Sequence, residues 1–180
     1  MGIKLTPVTY SVVIDTIIGQ GGQENISIAF QILDYMDNER TPPNEVTYGI
    51  MLKGIIRDEG LSTEVVDQFV QDIRLRMKKH GLEPNRISRN LLIASGFQRG
   101  DGCTDDVLAE WDSSKRGPVS DKTYYILLQG FLAMKNHGAG QEVIQHMQAV
   151  GFEPRGALKR VVERFERSRR ASQVLVGQTW

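Results

Sequence analysis

The sequence predicts an all-α fold, an α-solenoid in which stacked antiparallel helix pairs form a right-handed superhelix. A phrase that opens an apolar helix recurs four times, as Pro7–Tyr10, Glu45–Tyr48, Arg86–Arg89 and Asp121–Tyr124. A phrase that closes a helix pair recurs around Pro43, Pro84 and Pro154, and the last two prolines lie two periods of about 35 residues apart. A period of this length without strand signals indicates stacked helical hairpins, because one hairpin cannot bury its apolar face alone.

The composition of the 180-residue chain is typical of a globular repeat protein and excludes several kinds of site. Its single cysteine, Cys103, cannot form an internal disulfide, and its three histidines are scattered, so we expect neither a structural metal nor a cofactor. No apolar run approaches the roughly 18 residues of a membrane span, so we expect no membrane insertion. The net charge is zero, but residues 155–180 carry seven Lys/Arg against two Asp/Glu, which makes residues 1–154 acidic.

The start of the chain reads as the end of a repeat. Residues 1–6 resemble Gly81–Asn85, which closes a helix pair later in the sequence. We therefore expect residues 1–6 to be the end of a preceding repeat and the sequence to be part of a longer array.

Repeat 1 comprises residues 7–44. Val12, Val13 and Ile17 are predicted to form the apolar face of its first helix. A turn at Gly21 leads into a second amphipathic helix.

Repeats 2 and 3 differ in the length of their second helices. Repeat 2, residues 45–85, turns at Gly60 and has a second helix that is longer by about a turn and a half. Repeat 3, residues 86–120, turns at Gly100, and its second helix around Trp111 is short. We expect repeat 3 to be the loosest of the four.

Repeat 4, residues 121–155, has the clearest pattern. Asp121 is of a type that caps helix N-termini, and a turn at Gly138 separates two amphipathic helices. Residues 156–170 are predicted to form a partial repeat or a capping helix, and residues 171–180 a tail without periodic pattern.

These repeats resemble the pentatricopeptide repeat family, whose unit of about 35 residues opens Val-Thr-Tyr-Asn-x-Leu-Ile and closes Gly-x-x-Pro-Asp/Asn. Val8–Asp15 and His80–Asn85 are close matches, and Ala29 and Met36 stand where the family has the same residues. The resemblance covers residues 2–165. The Trp-x-x-Leu-Gly pattern of the related tetratricopeptide repeat is missing.

The resemblance implies an RNA-binding adaptor of organelle gene expression, which acts in transcript stability, processing or translation. Members typically bind single-stranded RNA, one base per repeat, along the surface of the first helices. We expect a mitochondrial location, with the chloroplast as the alternative. A helical scaffold that contacts mainly protein, for example in a mitochondrial ribosome or another organelle assembly, is the alternative function, and the acidity of residues 1–154 favours it.

In the family, a base is held between the second residues of successive repeats. Val8, Val46 and Ile87 occupy this clamping position and offer flat apolar contacts to a base. Lys122 departs from the pattern and suits a phosphate. The alternative is that the three aliphatic side chains pack between helices.

The fifth and the last residue of a repeat read the edge of the base in the family. The resemblance assigns these positions to Ser11 with Asn44, Gly49 with Asn85, Asn90 with Ser120 or Asp121, and Tyr125 with Arg155. Ser11 with Asn44 resembles an adenine reader, whereas Gly49 has no side chain to donate. Tyr125 with Arg155 lies outside the usual code. The alternative for the serines and asparagines is the capping of helix N-termini.

A run of basic residues follows repeat 4. Lys159, Arg160, Arg164 and Arg167 lie on or near one helical stripe and could follow a phosphate backbone. The alternative is a solvated helix face.

Catalysis has little support in the sequence. Asp101, Asp105 and Asp106 lack partner carboxylates at a recognisable nuclease spacing, and Cys103 has no histidine or asparagine at a fixed distance. We therefore expect a protein that is not an enzyme.

Overall fold

The structure, a computed structural model, describes residues 5–98 and 104–177, and within these ranges the chain forms nine α-helices and no strands. The helices in chain order are α1 Pro7–Ile18, α2 Gln23–Asn38, α3 Glu45–Arg57, α4 Thr63–Lys79, α5 Arg86–Gln98, α6 Thr104–Ser114, α7 Asp121–Ala133, α8 His137–Ala149 and α9 Gly156–Gly177. The predicted all-α class is confirmed. No helix in the described part of the chain is both long and apolar enough to cross a membrane.

The chain divides into two units, residues 1–92 and 93–180, and each unit has its own apolar core. We call α1, α3, α5, α7 and α9 the first helices and the others the second helices. In unit 1, α1 packs against its hairpin partner α2 and against the next first helix, α3. In unit 2, α7 packs in the same way against α8 and α9. This is the stacking that the repeat pattern predicts.

Side-chain caps determine where the first helices begin. Four residues that precede a first helix accept a hydrogen bond from the backbone N–H three residues later, which has no partner inside the helix. The pairs are Thr6 with Thr9, Asn44 with Thr47, Asn85 with Ser88, and Ser120 with Thr123, at 3.3, 3.0, 3.0 and 3.2 Å. Asp121, expected from its type to be a cap, lies instead in the first turn of α7.

The apolar face of α1 differs from the prediction. Val12 and Val13 are exposed, and the helix buries Tyr10, Ile14 and Ile18 instead. Apolar residues lie on nearly every side of α1, so helical spacing alone allows more than one face. The contacts with α2 and α3 select the face that is buried.

Two glycines at the same position of their first helices allow the preceding repeat to approach closely. A β-carbon at Gly54 of α3 would overlap the side chain of Ile18, and one at Gly130 of α7 would overlap the ring of Phe97. Both glycines are the tenth residue of their helices. A large apolar side chain from the preceding repeat thus fills the space that the glycine leaves.

The turn between α1 and α2 is fastened to the turn between α3 and α4. The carboxylate of Asp58 accepts a hydrogen bond from the N–H of Gly22 at 2.6 Å and another from the N–H of Gly60 at 2.9 Å. Gly21 and Gly22 have φ angles of 73° and 88°, a region that only glycine adopts without strain.

Some boundaries differ from the predictions. The turn of repeat 4 lies at Lys135, whose φ is 54°, and α8 already begins at His137, so Gly138 is inside a helix. Helix α9 extends to Gly177 and so runs through most of the predicted tail. The predicted turn at Gly100 lies outside the described residues, as do Asp101 and Cys103.

Candidate nucleic-acid interface

The second residues of the three first helices α1, α3 and α5 are aliphatic and exposed. Val8, Val46 and Ile87 retain 69%, 61% and 67% of their accessible surface. These values contradict the alternative that the three side chains pack between helices. The residues leave an apolar surface at the same position of repeats 1, 2 and 3, as a base clamp requires.

Ser11 lies below this surface and is bonded to the next repeat. Its side chain is only 6% exposed, and its Oγ lies 2.9 Å from the Oγ1 of Thr47. Thr47 Oγ1 in turn donates to the Oδ1 of Asn44 at 3.1 Å. The hydroxyl of Ser11 is therefore part of a buried network, which limits its access to a base.

Gly49 occupies the position in repeat 2 that Ser11 occupies in repeat 1. A β-carbon there would lie 3.3 Å from the Oγ of Ser88, which is buried and has no hydrogen-bond partner. The network of the first repeat junction is thus interrupted at the second. A buried hydroxyl without a partner costs about 1–3 kcal/mol.

Asn44 and Asn85 act as caps through one atom of the side chain. The Oδ1 of Asn44 accepts from the N–H groups of Val46 and Thr47, and the Oδ1 of Asn85 from those of Ile87 and Ser88, all at 3.0 Å. The capping interpretation is therefore correct for both residues. The bonds use only the oxygen, so the Nδ2 donors remain for a ligand.

Asn90 differs from the capping asparagines. It is the fifth residue of α5 and is buried, and its Oδ1 has no hydrogen-bond partner. A buried amide oxygen without a partner favours a ligand that donates a hydrogen bond to it.

The corresponding positions of unit 2 are occupied by other residue types. Lys122 is exposed, and the Oγ of Ser120 is 2.9 Å from the Oγ1 of its capping partner Thr123. Tyr125 is half-buried. Arg155 is highly exposed, and its nearest carboxylate, on Glu153, is 3.9 Å away.

Helix α9 has an apolar and a basic face. It buries Leu158, Val161 and Phe165 in the core of unit 2. The predicted phosphate contacts are all exposed: Lys159, Arg160, Arg164 and Arg167. Exposure agrees equally with a solvated face and with a surface for phosphates.

The sequence interpretation missed two cations on α3. Lys53 and Arg57 are exposed and have no carboxylate within 4.0 Å in the described part of the chain. They follow Val46 at helical spacing, so they lie on its side of the helix, and that spacing was the signal available in the sequence. By contrast, Arg76 and Lys79 on α4 are paired with Asp34 and Asp37 at 2.6 and 3.1 Å.

Two titratable side chains near the cores have shifted pKa values, and neither occupies the clamping position. Burial, and secondarily the charge of Asp37, raises the pKa of Tyr48 to about 12. Burial, and secondarily Lys115, lowers the pKa of His146, whose Nδ1 lies 3.0 Å from the hydroxyl of Tyr124.

The chain is similar in sequence to known pentatricopeptide repeat proteins. A model of the pentatricopeptide repeat domain matches residues 1–57. A chloroplastic pentatricopeptide repeat-containing protein of Arabidopsis thaliana is 26% identical over 132 residues, which cover 67% of this chain and 18% of the relative.

Solved structures show the same fold. The pentatricopeptide repeat protein PPR10, in complex with an 18-nt psaJ RNA element, matches with a TM-score of 0.64 and 22% identity over 99% of this chain. A triple cysteine-to-serine variant of PPR10 with the same RNA matches with a TM-score of 0.64 and 21% identity. The chain spans 25% of either solved chain.

The fold shared with these structures is a solenoid of stacked helix pairs, as the sequence predicts. In the present chain, the helix-opening phrases, the helix caps and the glycine contacts recur at fixed positions of the repeats. The domain match covers residues 1–57 and the shared fold covers 99% of the chain, so these findings together support a pentatricopeptide repeat protein.

Proposed function

We propose that this chain binds single-stranded RNA along its first helices and serves as a non-catalytic adaptor in organelle gene expression. The observation that carries the proposal is the exposure of Val8, Val46 and Ile87 at one recurring position. Exposed aliphatic side chains at such a spacing suit the faces of unstacked bases.

Polar and charged groups beside the clamp complete the proposed site. The Nδ2 donors of Asn44 and Asn85 and the unpartnered Oδ1 of Asn90 suit base edges. The exposed cations Lys53 and Arg57 suit phosphates. Contacts to base edges give a preference for particular bases, and contacts to phosphates give an affinity for RNA that falls as the salt concentration rises.

The process served belongs to the proposal as well. We propose transcript stability, processing or translation, in a mitochondrion or a chloroplast. The name of the Arabidopsis relative supports the chloroplast alternative for the compartment. Imaging of the tagged full-length protein would distinguish the two organelles.

The test is a binding titration with pooled random single-stranded RNA at two salt concentrations. Val46→Ala should weaken binding by about three- to tenfold, because it removes most of one clamping surface. Leu75→Ala is the matched control, since Leu75 is 66% exposed but lies on the second helix α4. Equal affinities of the two variants would contradict the proposed face.

A protein scaffold is the second candidate function. Two observations favour a scaffold: Ser11 is hydrogen-bonded to Thr47, and Gly49 has no side chain. Both reduce the number of groups that can contact a base edge. A folded wild-type protein that binds no RNA below about 10 µM at low salt would move the proposal to the scaffold.

A further inference from the structure

The clamping position of unit 2 offers no apolar surface to a base. Its occupants, the second residues of α7 and α9, are Lys122 and Ala157, and both are exposed. A lysine stem and a single methyl group cannot cover a base as Val46 and Ile87 could at the corresponding position of unit 1.

An aromatic ring lies one turn further along α7. Tyr125 is half-buried and packs against the core of unit 2. Its hydroxyl oxygen accepts a hydrogen bond from the Nε2 of Gln129 at 3.1 Å. Because Lys122, Tyr125 and Gln129 are three and four residues apart, they form one stripe on the helix.

We propose that Tyr125 stacks against a base of single-stranded RNA and that Gln129 is a positioning residue that holds its ring. This inference rests on the proposed RNA-binding function and assigns the chemistry of one subsite. Every base has a π-face, so a contact of this kind accepts all four bases. Lys122, one turn away, contacts the neighbouring phosphate.

The polar groups of repeat 4 favour stacking over edge reading. The hydroxyl oxygen of Tyr125 already accepts the amide of Gln129, and the hydroxyl of Ser120 is engaged with Thr123. These are two of the groups that would otherwise read a base edge. What repeat 4 offers besides these groups is the large, half-buried ring of Tyr125.

The bond to Gln129 gives the ring a fixed orientation before RNA binds. A free tyrosine side chain rotates about two torsion angles, and immobilising it on binding costs conformational entropy. Tying the tip of the ring to its own helix removes much of this cost in advance.

The test uses six-nucleotide uridine strands that carry 2-aminopurine at each position in turn, because stacking on an aromatic ring quenches its fluorescence. The wild-type protein should quench the probe at one position. Tyr125→Ala should abolish this quenching and weaken binding about tenfold or more. Tyr125→Leu, which keeps apolar bulk for folding, should lose the quenching as well. Tyr35→Ala is the matched control, since Tyr35 is exposed but lies on α2 in unit 1.

The role of Gln129 is tested by removing either half of its hydrogen bond. Gln129→Leu and Tyr125→Phe should each weaken binding about threefold, the worth of one hydrogen bond, while part of the quenching remains. The double variant should bind no more weakly than either single variant. Additive losses would show that Gln129 does not act through Tyr125.

The possible outcomes separate this inference from the proposed function. Exchange of the quenched nucleotide for any other base should change the affinity less than about threefold, and discrimination above about tenfold would show edge reading and overturn the inference. If the wild type binds RNA and Tyr125→Ala binds equally well, the inference is wrong while RNA binding stands. If the wild type binds no strand, the proposed function fails and the inference with it.

Discussion

The hydroxyl groups of Ser11 and Thr47 lie 2.9 Å apart and join the first helices of repeats 1 and 2 by a buried hydrogen bond. The next repeat junction has the same geometry but lacks one partner. There Gly49 faces Ser88, whose hydroxyl is buried without a hydrogen bond.

Gly49→Ser should restore the missing partner and raise the free energy of unfolding by about 0.5–1.5 kcal/mol from the new bond. A β-carbon at this position would lie 3.3 Å from the Ser88 Oγ, and rotation of that side chain can relieve the contact. Urea unfolding would measure the change. Gly49→Ala is the control, because it adds the β-carbon without the hydroxyl. Since alanine has the higher helix propensity, a serine variant as stable as the alanine variant already supports the bond.

Gly54→Ala should destabilise unit 1 by about 1–3 kcal/mol, because the new methyl group overlaps the side chain of Ile18. Shortening Ile18 should relieve this overlap. In an Ile18→Ala background, the cost of Gly54→Ala should therefore fall well below its cost in the wild type. Thermal unfolding of the two single variants and the double variant gives the coupling, and strict additivity would contradict the close contact.

His146 should make stability depend on pH. Its pKa in the folded protein is lowered from the ordinary value of 6.5, mainly by burial and secondarily by Lys115. The unfolded chain therefore binds the proton first, and the contribution of His146 is fully present above about pH 6.5 and is lost as the pH falls toward the lowered folded pKa. His146→Gln should flatten the stability profile as the pH falls below about 6.5, and equal profiles of variant and wild type would exclude His146 as the cause.

Asn90→Leu should separate stability from binding. Leucine removes an amide oxygen that is buried without a partner, so the variant should be as stable as the wild type or more stable by about 1 kcal/mol. RNA affinity should fall about tenfold, with a change of preference at one base. Arg164→Ala, which removes an exposed cation from α9, is the comparison variant. It should weaken binding to all RNA sequences alike and reduce the salt dependence of binding. Loss of stability with unchanged binding would assign Asn90 to the core instead.

The sequence predicted features that depend on local patterns. The helical class and the exposed aliphatic residues at the helix starts follow from the repeated opening phrases, since each phrase carries a cap and its first turn within a few residues. The same local pattern allowed a capping role for Asn44 and Asn85 as the alternative to base reading, and the structure shows both caps.

What the sequence left undetermined depends on neighbouring repeats. The face of α1 that contains Ile14 is selected by its contacts with α2 and α3, because apolar residues lie on nearly all sides of the helix. The fit of Ile18 on Gly54 joins two residues from different repeats, and no local pattern indicates it. Likewise, the burial of Ser11 becomes visible only when Thr47 is placed beside it.

The carboxylate of Asp58 makes one turn, between α1 and α2, dependent on a second turn, between α3 and α4. Gly60 donates to one of its oxygens within the second turn, and Gly22 donates to the other oxygen from the first turn. Opening of the second turn, which displaces Asp58, therefore removes the acceptor of Gly22, and we expect the amide hydrogen of Gly22 to exchange with solvent whenever the second turn opens. Protection of the first turn thus depends on a residue of the next hairpin, although each hairpin is the unit in which the sequence repeats.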